Sequence, residues 1–253
     1  MIRTLWYYVV LAVSTIIHAT VAVVAALFRV RNRVGGVYDW ASTDWSRDIL
    51  RAAGTPVIAE GLENIPRDRP VLYASNHSSM FDIWALLATL PGSVRFVAKR
   101  ELFRIPLLGR AMLAVGHVPI DRAARKKAFE AYDEAARTIQ RGTSSIGVFP
   151  EGTTFHGDDV REFQGGAFIA IARESGEVVP VGIAYEQPDA VYGDEPVMDH
   201  MKRLVRAPSV RVGVAVGSPI EAPRRHIRSL AGHLRDEVQT LVYRARAMVG
   251  GAP

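Results

Sequence analysis

The chain contains no cysteine. Disulfides, thiolate metal sites and a cysteine nucleophile are thereby excluded, although the redox compartment stays open. It also lacks a G-x-S-x-G elbow, so a serine acyl-enzyme has no obvious nucleophile. No residue set is assigned to a metal, and no internal repeat or low-complexity segment stands out. Acidic charge is in deficit: 31 Lys and Arg face 26 Asp and Glu, a net charge of +5. A basic balance suits anionic lipid surfaces, phosphate-bearing ligands or nucleic acid. Aromatic residues are not interleaved with the basic ones and no nucleic-acid module is visible, so nucleic acid is not an expected partner.

The longest gap in charge lies near the N-terminus, where Leu5 to Phe28 carry none. As a helix such a run reaches about 36 Å, enough for a bilayer core of about 30 Å. Arg29, Arg31 and Arg33 follow at once, against Arg3 before it, so the following flank is expected on the cytoplasmic face, in a bacterial inner membrane. Trp6, Tyr7 and Tyr8 are expected at the opposite interface. A signal peptide fits poorly, because the run is long and no small-residue cleavage site precedes polar sequence. His18 reads as a tolerated polar residue. In "YDWASTDWSRDILRAAG", Tyr38, Trp45, Ile49 and Ala52 fall at helical spacing, for a helix lying in the interfacial plane or packing on the domain. Residues 1–54 are thus expected to form a membrane-anchoring helical segment. Residues 55–253 form the main domain, and a chain of 253 residues, 49% hydrophobic, has enough to build a sizeable core.

Beyond residue 55, short apolar strands are predicted at 56–60, 71–74, 94–98, 117–120, 146–149, 178–184 and 210–216. Helices fit near 80–90, 105–115, 122–141, 165–175 and 226–248. The alternation argues an α/β fold with a mixed, largely buried sheet flanked by helices. The Pro-rich polar stretch "EQPDAVYGDEP" reads as a surface connection.

One loop holds a possible reactive pair. In "YASNHSSMFD", His77 and Asp82 stand five positions apart. Five residues of helix sweep about 500°, leaving side chains roughly 140° apart, so the two meet only if His77 precedes the helix and Asp82 opens it. Ser79 to Asp82 also matches a capping pattern, in which Asp82 merely caps the helix. Further loops follow strands: "VAKRELFRIPLLGRAM" clusters Lys99, Arg100 and Arg104, and "FPEGTTFHGDD" turns through Glu151, Gly152 and Thr153. Basic side chains beside Gly-containing turns at strand ends can gather an anion.

Four segments together resemble the 1-acylglycerol-3-phosphate (lysophosphatidic acid) acyltransferases of the glycerolipid acyltransferase superfamily. They are H-x4-D at His77 and Asp82, "KRELFRIPLLG" at 99–109, "FPEGT" at 149–153 and "VVPVGI" at 178–183, with "GHVPIDR" at 116–122 between the second and third. The resemblance implies a glycerol-3-phosphate acyltransferase-like fold and transfer of an acyl group from acyl-CoA or acyl-carrier protein to a lysophospholipid hydroxyl at the bilayer. It implies no bound cofactor. His77 is the general base, Asp82 orients it, and Lys99, Arg100, Arg122, Glu151, Gly152 and Thr153 line the substrate site. The chemistry agrees with the residues, since an imidazole is the side chain among these motifs suited to take a hydroxyl proton near neutral pH. The Gly152–Thr153 turn is the candidate source of N–H donors for the oxyanion. Two departures matter. Thr154 stands where the family usually has a phosphate-binding arginine, and Phe163 to Gly166 lacks the usual lysines. Lys99, Arg100, Arg122 or Arg161 then compensate, or the acceptor is another lysolipid, such as a lyso-aminolipid. A hydrolase and an inactive lipid-binding membrane module are the remaining alternatives.

Overall fold

The computed structural model describes residues 2–121, 125–154, 157–163, 172, 176–187, 190–191, 197–206, 210–222 and 227–250. Among them, α1 (Ile2–Leu27) and α2 (Val37–Ala53) precede an α/β unit. Its strands are β1 (Val57–Glu60), β2 (Leu72–Ser75), β3 (Val94–Lys99), β4 (Val118–Ile120), β5 (Ser145–Val148), β6 (Glu177–Tyr185), β7 (Val212–Val216) and β8 (Ile220–Glu221). Its helices are α3 (Phe81–Thr89), α4 (Leu108–Val115), α5 (Arg125–Gln140), α6 (Val197–Arg206) and α7 (Ile227–Met248). The strands form one mixed sheet in the order β1-β7-β6-β2-β5-β3-β4, with β8 beside β6. β7 and β8 run antiparallel to β6; the other pairs are parallel. This is the expected fold class. The unforeseen elements are α6, which follows the Pro-rich stretch, and the two-residue β8. The helix expected over 165–175 lies outside the described residues, apart from Ala172.

Alternation along each strand sorts the side chains between two cores. On β6, Val179, Val181, Ile183 and Tyr185 join α2 and α3, while Val178 and Ala184 join α5 and α7. Successive side chains of a strand point to opposite faces, so a strand buried on both sides reads as a continuous apolar run. Gly182 sits on the α7 face. A Cβ there would come within 2.3 Å of the Leu241 and Val242 backbone, so α7 can lie this close only because the position has no side chain.

Topology also places a crevice. β2 leads through α3 to β3, on the far side of β5; β5 leads to β6, on the far side of β2. The connections leave these adjacent parallel strands in opposite directions, which opens the sheet at their carboxyl ends. His77 follows β2 there, and Phe149 to Glu151 follow β5.

α1 does not stand apart from this unit. Its inner face is tied to α2 by Ser14 to Asp48 at 2.8 Å, Trp45 to Thr15 at 2.9 Å, and Arg3 to the Ala53 carbonyl at 2.6 Å. His18 is bonded to Ser14 and lies 4.8 Å from the Trp40 ring, a structural role. Tyr7, expected at a membrane interface, is instead fully buried in the α2–α3 core, because the inner face of α1 packs on the domain near its start. The outer face stays apolar and open: Trp6 is 59% exposed, and Val13, Ile16, Ile17 and Leu27 are exposed beside it. α1 is also long and apolar enough to cross a membrane.

Candidate active site

His77 lies in the loop after β2, and Asp82 lies in the first turn of α3. The structure brings them together, with His77 Nδ1 2.8 Å from Asp82 Oδ2. Asp82 meets the imidazole and the start of the helix at once. Oδ2 also accepts the backbone N–H groups of Ser78 at 2.8 Å and Ser79 at 2.9 Å, closing the start of the helix. From the opposite side, the Tyr185 hydroxyl donates to Oδ1 at 2.5 Å. An ionised carboxylate accepts from all of these groups. Nδ1 of His77 must then be a donor, which leaves Nε2 with its lone pair. The Asp82 side chain has no accessible surface, whereas His77 keeps 11%, so the imidazole is the member that can meet a substrate.

The surroundings fix the ring. Phe149 stacks on His77 with centroids 4.1 Å apart and planes 16° from parallel, and Phe96 stacks behind Phe149 at 5.8 Å. Phe96 has room because residue 147 is glycine; a Cβ there would fall 2.3 Å from its ring. Asn76 holds the loop where β2 stops. Its amide donates to the Ile183 carbonyl at 2.9 Å and accepts the Ile183 N–H at 2.8 Å, standing in for one more strand residue.

Glu151 departs from expectation. Rather than lining the acceptor site, its carboxylate is buried and accepts the backbone N–H of His77 through Oε1 and of Arg161 through Oε2, both at 2.9 Å. It clamps the loop after β5 onto the loop after β2. Burial raises its pKa, and the two backbone donors oppose that rise. The Gly152 N–H closes the turn onto the Phe149 carbonyl at 3.1 Å, so it is already engaged rather than waiting for an oxyanion. Thr153, just beyond, is exposed.

The expected cations are less concentrated. Lys99 ends β3 and is exposed; Arg100 opens the next turn, half-buried, with no hydrogen-bond partner at its buried Nε among the described residues. β3 lies two strand spacings from β2, roughly 10 Å at the usual separation, on the same carboxyl edge. The side chain of Arg161 is exposed and Thr154 is half-buried. Arg122 lies outside the described residues.

Tyr185 is the contributor that sequence reasoning missed. Its pKa is raised, first by burial and then by the Asp82 charge, so it stays a hydroxyl donor. A signal existed: alternation from Val179 puts Tyr185 on the α3 face, and a buried tyrosine hydroxyl usually finds a partner.

Comparison with known proteins accords with this geometry. A family model described as Acyltransferase matches residues 56–184. A chloroplastic 1-acyl-sn-glycerol-3-phosphate acyltransferase of Arabidopsis thaliana is 34% identical over 142 residues, 56% of this chain. The chain spans only 39% of that relative's length. A lyso-ornithine lipid O-acyltransferase of Brucella abortus is 32% identical over 196 residues, covering 70% of this chain and 72% of its own. Among solved structures, the 1-acyl-sn-glycerophosphate acyltransferase of Thermotoga maritima shares the fold with a TM-score of 0.72, at 24% identity over 97% of this chain and 95% of that one. The family match takes in both loops that hold His77 in place, and the chain belongs to the acyltransferase family.

Proposed function

We propose that the protein moves a fatty acyl group from an acyl thioester to the hydroxyl of a lysophospholipid, taking 1-acylglycerol-3-phosphate to phosphatidic acid. The observation that carries this reading is the imidazole of His77, held by Asp82 with Nε2 unengaged among the described residues, at the crevice of an acyltransferase-family sheet. Nε2 takes the acceptor's hydroxyl proton as the oxygen attacks the thioester carbonyl. The imidazolium, stabilised by Asp82, returns that proton to the departing thiolate as the tetrahedral intermediate collapses. The donor is acyl-CoA or acyl-carrier protein. Lys99 and Arg100 reach the acceptor's phosphate from the same edge of the sheet, with Arg161 as a further candidate.

The outer face of α1 seats the enzyme on the bilayer, and exposed Arg29, Arg31 and Arg33 meet anionic headgroups on the cytoplasmic side. α1 lies in one leaflet on this reading. If it spanned, its partner α2 would carry Asp44, Arg47, Asp48 and Arg51 into hydrocarbon.

A second acceptor is favoured by two observations: Thr154 at the family's arginine position, and a lyso-ornithine lipid acyltransferase matching 70% of the chain. Thioester consumption with and without a panel of phosphate-bearing and amino-headed lysolipids, using both donor types, tests the reading. Transfer only with a lysolipid supports it; equal consumption without one indicates a hydrolase. On the main reading, Thr154→Arg lowers the apparent KM for lysophosphatidate, because a charge-assisted hydrogen bond contributes roughly 1.5–3 kcal/mol. If an aminolipid is the native acceptor, the same change impairs it and leaves lysophosphatidate poor.

A further inference from the structure

β6 runs on past its neighbour. β2 ends at Ser75, opposite Val181, while β6 continues to Tyr185. Asn76 pairs with Ile183 where β2 stops, and Tyr185 follows Ile183 by two residues, on the same face. The Tyr185 backbone stays in register with Val212 of β7, so the ring hangs from paired strand. This overhang puts a phenol behind the first turn of α3, where its hydroxyl donates to Asp82 Oδ1 at 2.5 Å. Neither Tyr185 nor Asp82 keeps any accessible surface. The donors on Asp82 are unequally shared. Oδ2 takes three: His77 Nδ1–H and the backbone N–H groups of Ser78 and Ser79. Among the described residues, Oδ1 takes Tyr185 alone. Buried as it is, that oxygen has no solvent to replace the hydroxyl.

We propose that Tyr185 is a positioning residue for acyl transfer which, through Asp82, sets the pH range over which His77 is free to take a proton. The proposal rests on the reading of His77 as base. A donor to a carboxylate spreads and stabilises its charge. By holding Oδ1, Tyr185 limits how tightly Asp82 draws a second proton onto the imidazole. Without the hydroxyl, a buried anion is one partner short, and its pull falls more fully on His77. The imidazolium then persists to higher pH with Nε2 already occupied, so the pair has no vacancy for the acceptor's proton. Among the described residues, the other ionisable groups around the pair are Glu151 from the loop after β5 and, behind Ser79, His200 and Arg203 of α6. Glu151 is held by the His77 and Arg161 N–H groups, neither of which depends on Tyr185.

The test uses the full-length enzyme. Transfer from an acyl-CoA to lysophosphatidate in vesicles is recorded against pH, and the ring signals of His77 are titrated by NMR in detergent micelles, identified by their loss in His77→Ala. Tyr185→Phe keeps the ring and removes the hydroxyl. The acid limb of kcat/KM and the His77 titration both move up by about one to two pH units, the weight of one hydrogen bond to a charged group. In mildly acidic buffer the variant is slower by about tenfold or more, while on the alkaline plateau kcat falls by no more than about threefold and both KM values hold. In an Asp82→Asn background the same change moves His77 no further, because it acts through that carboxylate. Where Tyr185→Phe fails to fold, 3-fluorotyrosine at position 185 keeps the hydroxyl as a stronger donor and moves both curves the other way. A tyrosine that only fills space gives an equal loss at every pH. That result, or an unmoved His77 titration, would overturn the proposal. Normal turnover by His77→Ala would instead remove the base assignment, and the NMR titration, which needs no substrate, still decides whether Tyr185 governs the pair.

Discussion

At the residue scale, Asp82 combines helix capping with orientation of the His77 ring. Its two oxygens receive donors from both sides, so an amide in its place sets N–H against N–H or forces Tyr185 to turn away. Asp82→Asn also removes the charge that stabilises the imidazolium. We expect kcat to fall by about 10²-fold or more with a modest loss of stability. A variant with a lowered Tm and normal turnover would mean that Asp82 is only a cap. The His77–Asp82 contact was legible because helix geometry allows it in a single arrangement. The groups behind Asp82 were not. Tyr185 and His200 join the site from 103 and 121 positions away from their partners, and local spacing carries no trace of such long-range pairings. Glu151 was legible as a site residue, but its target, two backbone N–H groups, was not.

At the scale of elements, alternation and helical spacing located most strands and helices within a few residues. The miss with consequences was α6, whose Val197, Met198, Met201, Leu204 and Val205 do fall at helical spacing, but which directly follows the polar, Pro-rich stretch read as a surface connection. The join between α2 and the sheet was also hidden. There Asp39 meets Arg95 at 2.6 Å, both buried, and His117 accepts the Phe96 N–H at Nδ1. Burial and the nearby Arg95 charge push the pKa of His117 down to about 3 from an ordinary 6.5. The unfolded chain therefore binds a proton that the folded chain does not, between those two values. Stability from this group is fully present above about pH 6.5 and declines as pH falls towards 3. His117→Asn, which can still accept the Phe96 N–H, should flatten that decline. Thermal melts at several pH values in this window check it, and parallel curves for the two proteins would assign the acid sensitivity elsewhere.

At the scale of the whole molecule, the apolar N-terminal run was visible from composition, but its one-sidedness was not. Hydropathy weighs residues without regard to direction, whereas Tyr7, Ser14 and His18 face inward and Ile16 and Ile17 face out. That asymmetry offers a test of membrane seating that spares the core. Ile16→Asp with Ile17→Asp should weaken vesicle binding at least tenfold, since charges in hydrocarbon cost about 2.5–3.5 kcal/mol at its centre and less near its edge. Turnover of a dispersed short-chain acceptor should persist. Unchanged vesicle binding would mean that this face does not meet lipid. The whole account turns on His77 as the base that activates a lysolipid hydroxyl. Its most direct test is steady-state acyl transfer to lysophosphatidate in vesicles by His77→Ala, with folding and vesicle binding measured alongside. The account predicts a loss of about 10²–10⁴-fold in kcat with both controls intact. Turnover near that of the unaltered enzyme would contradict it.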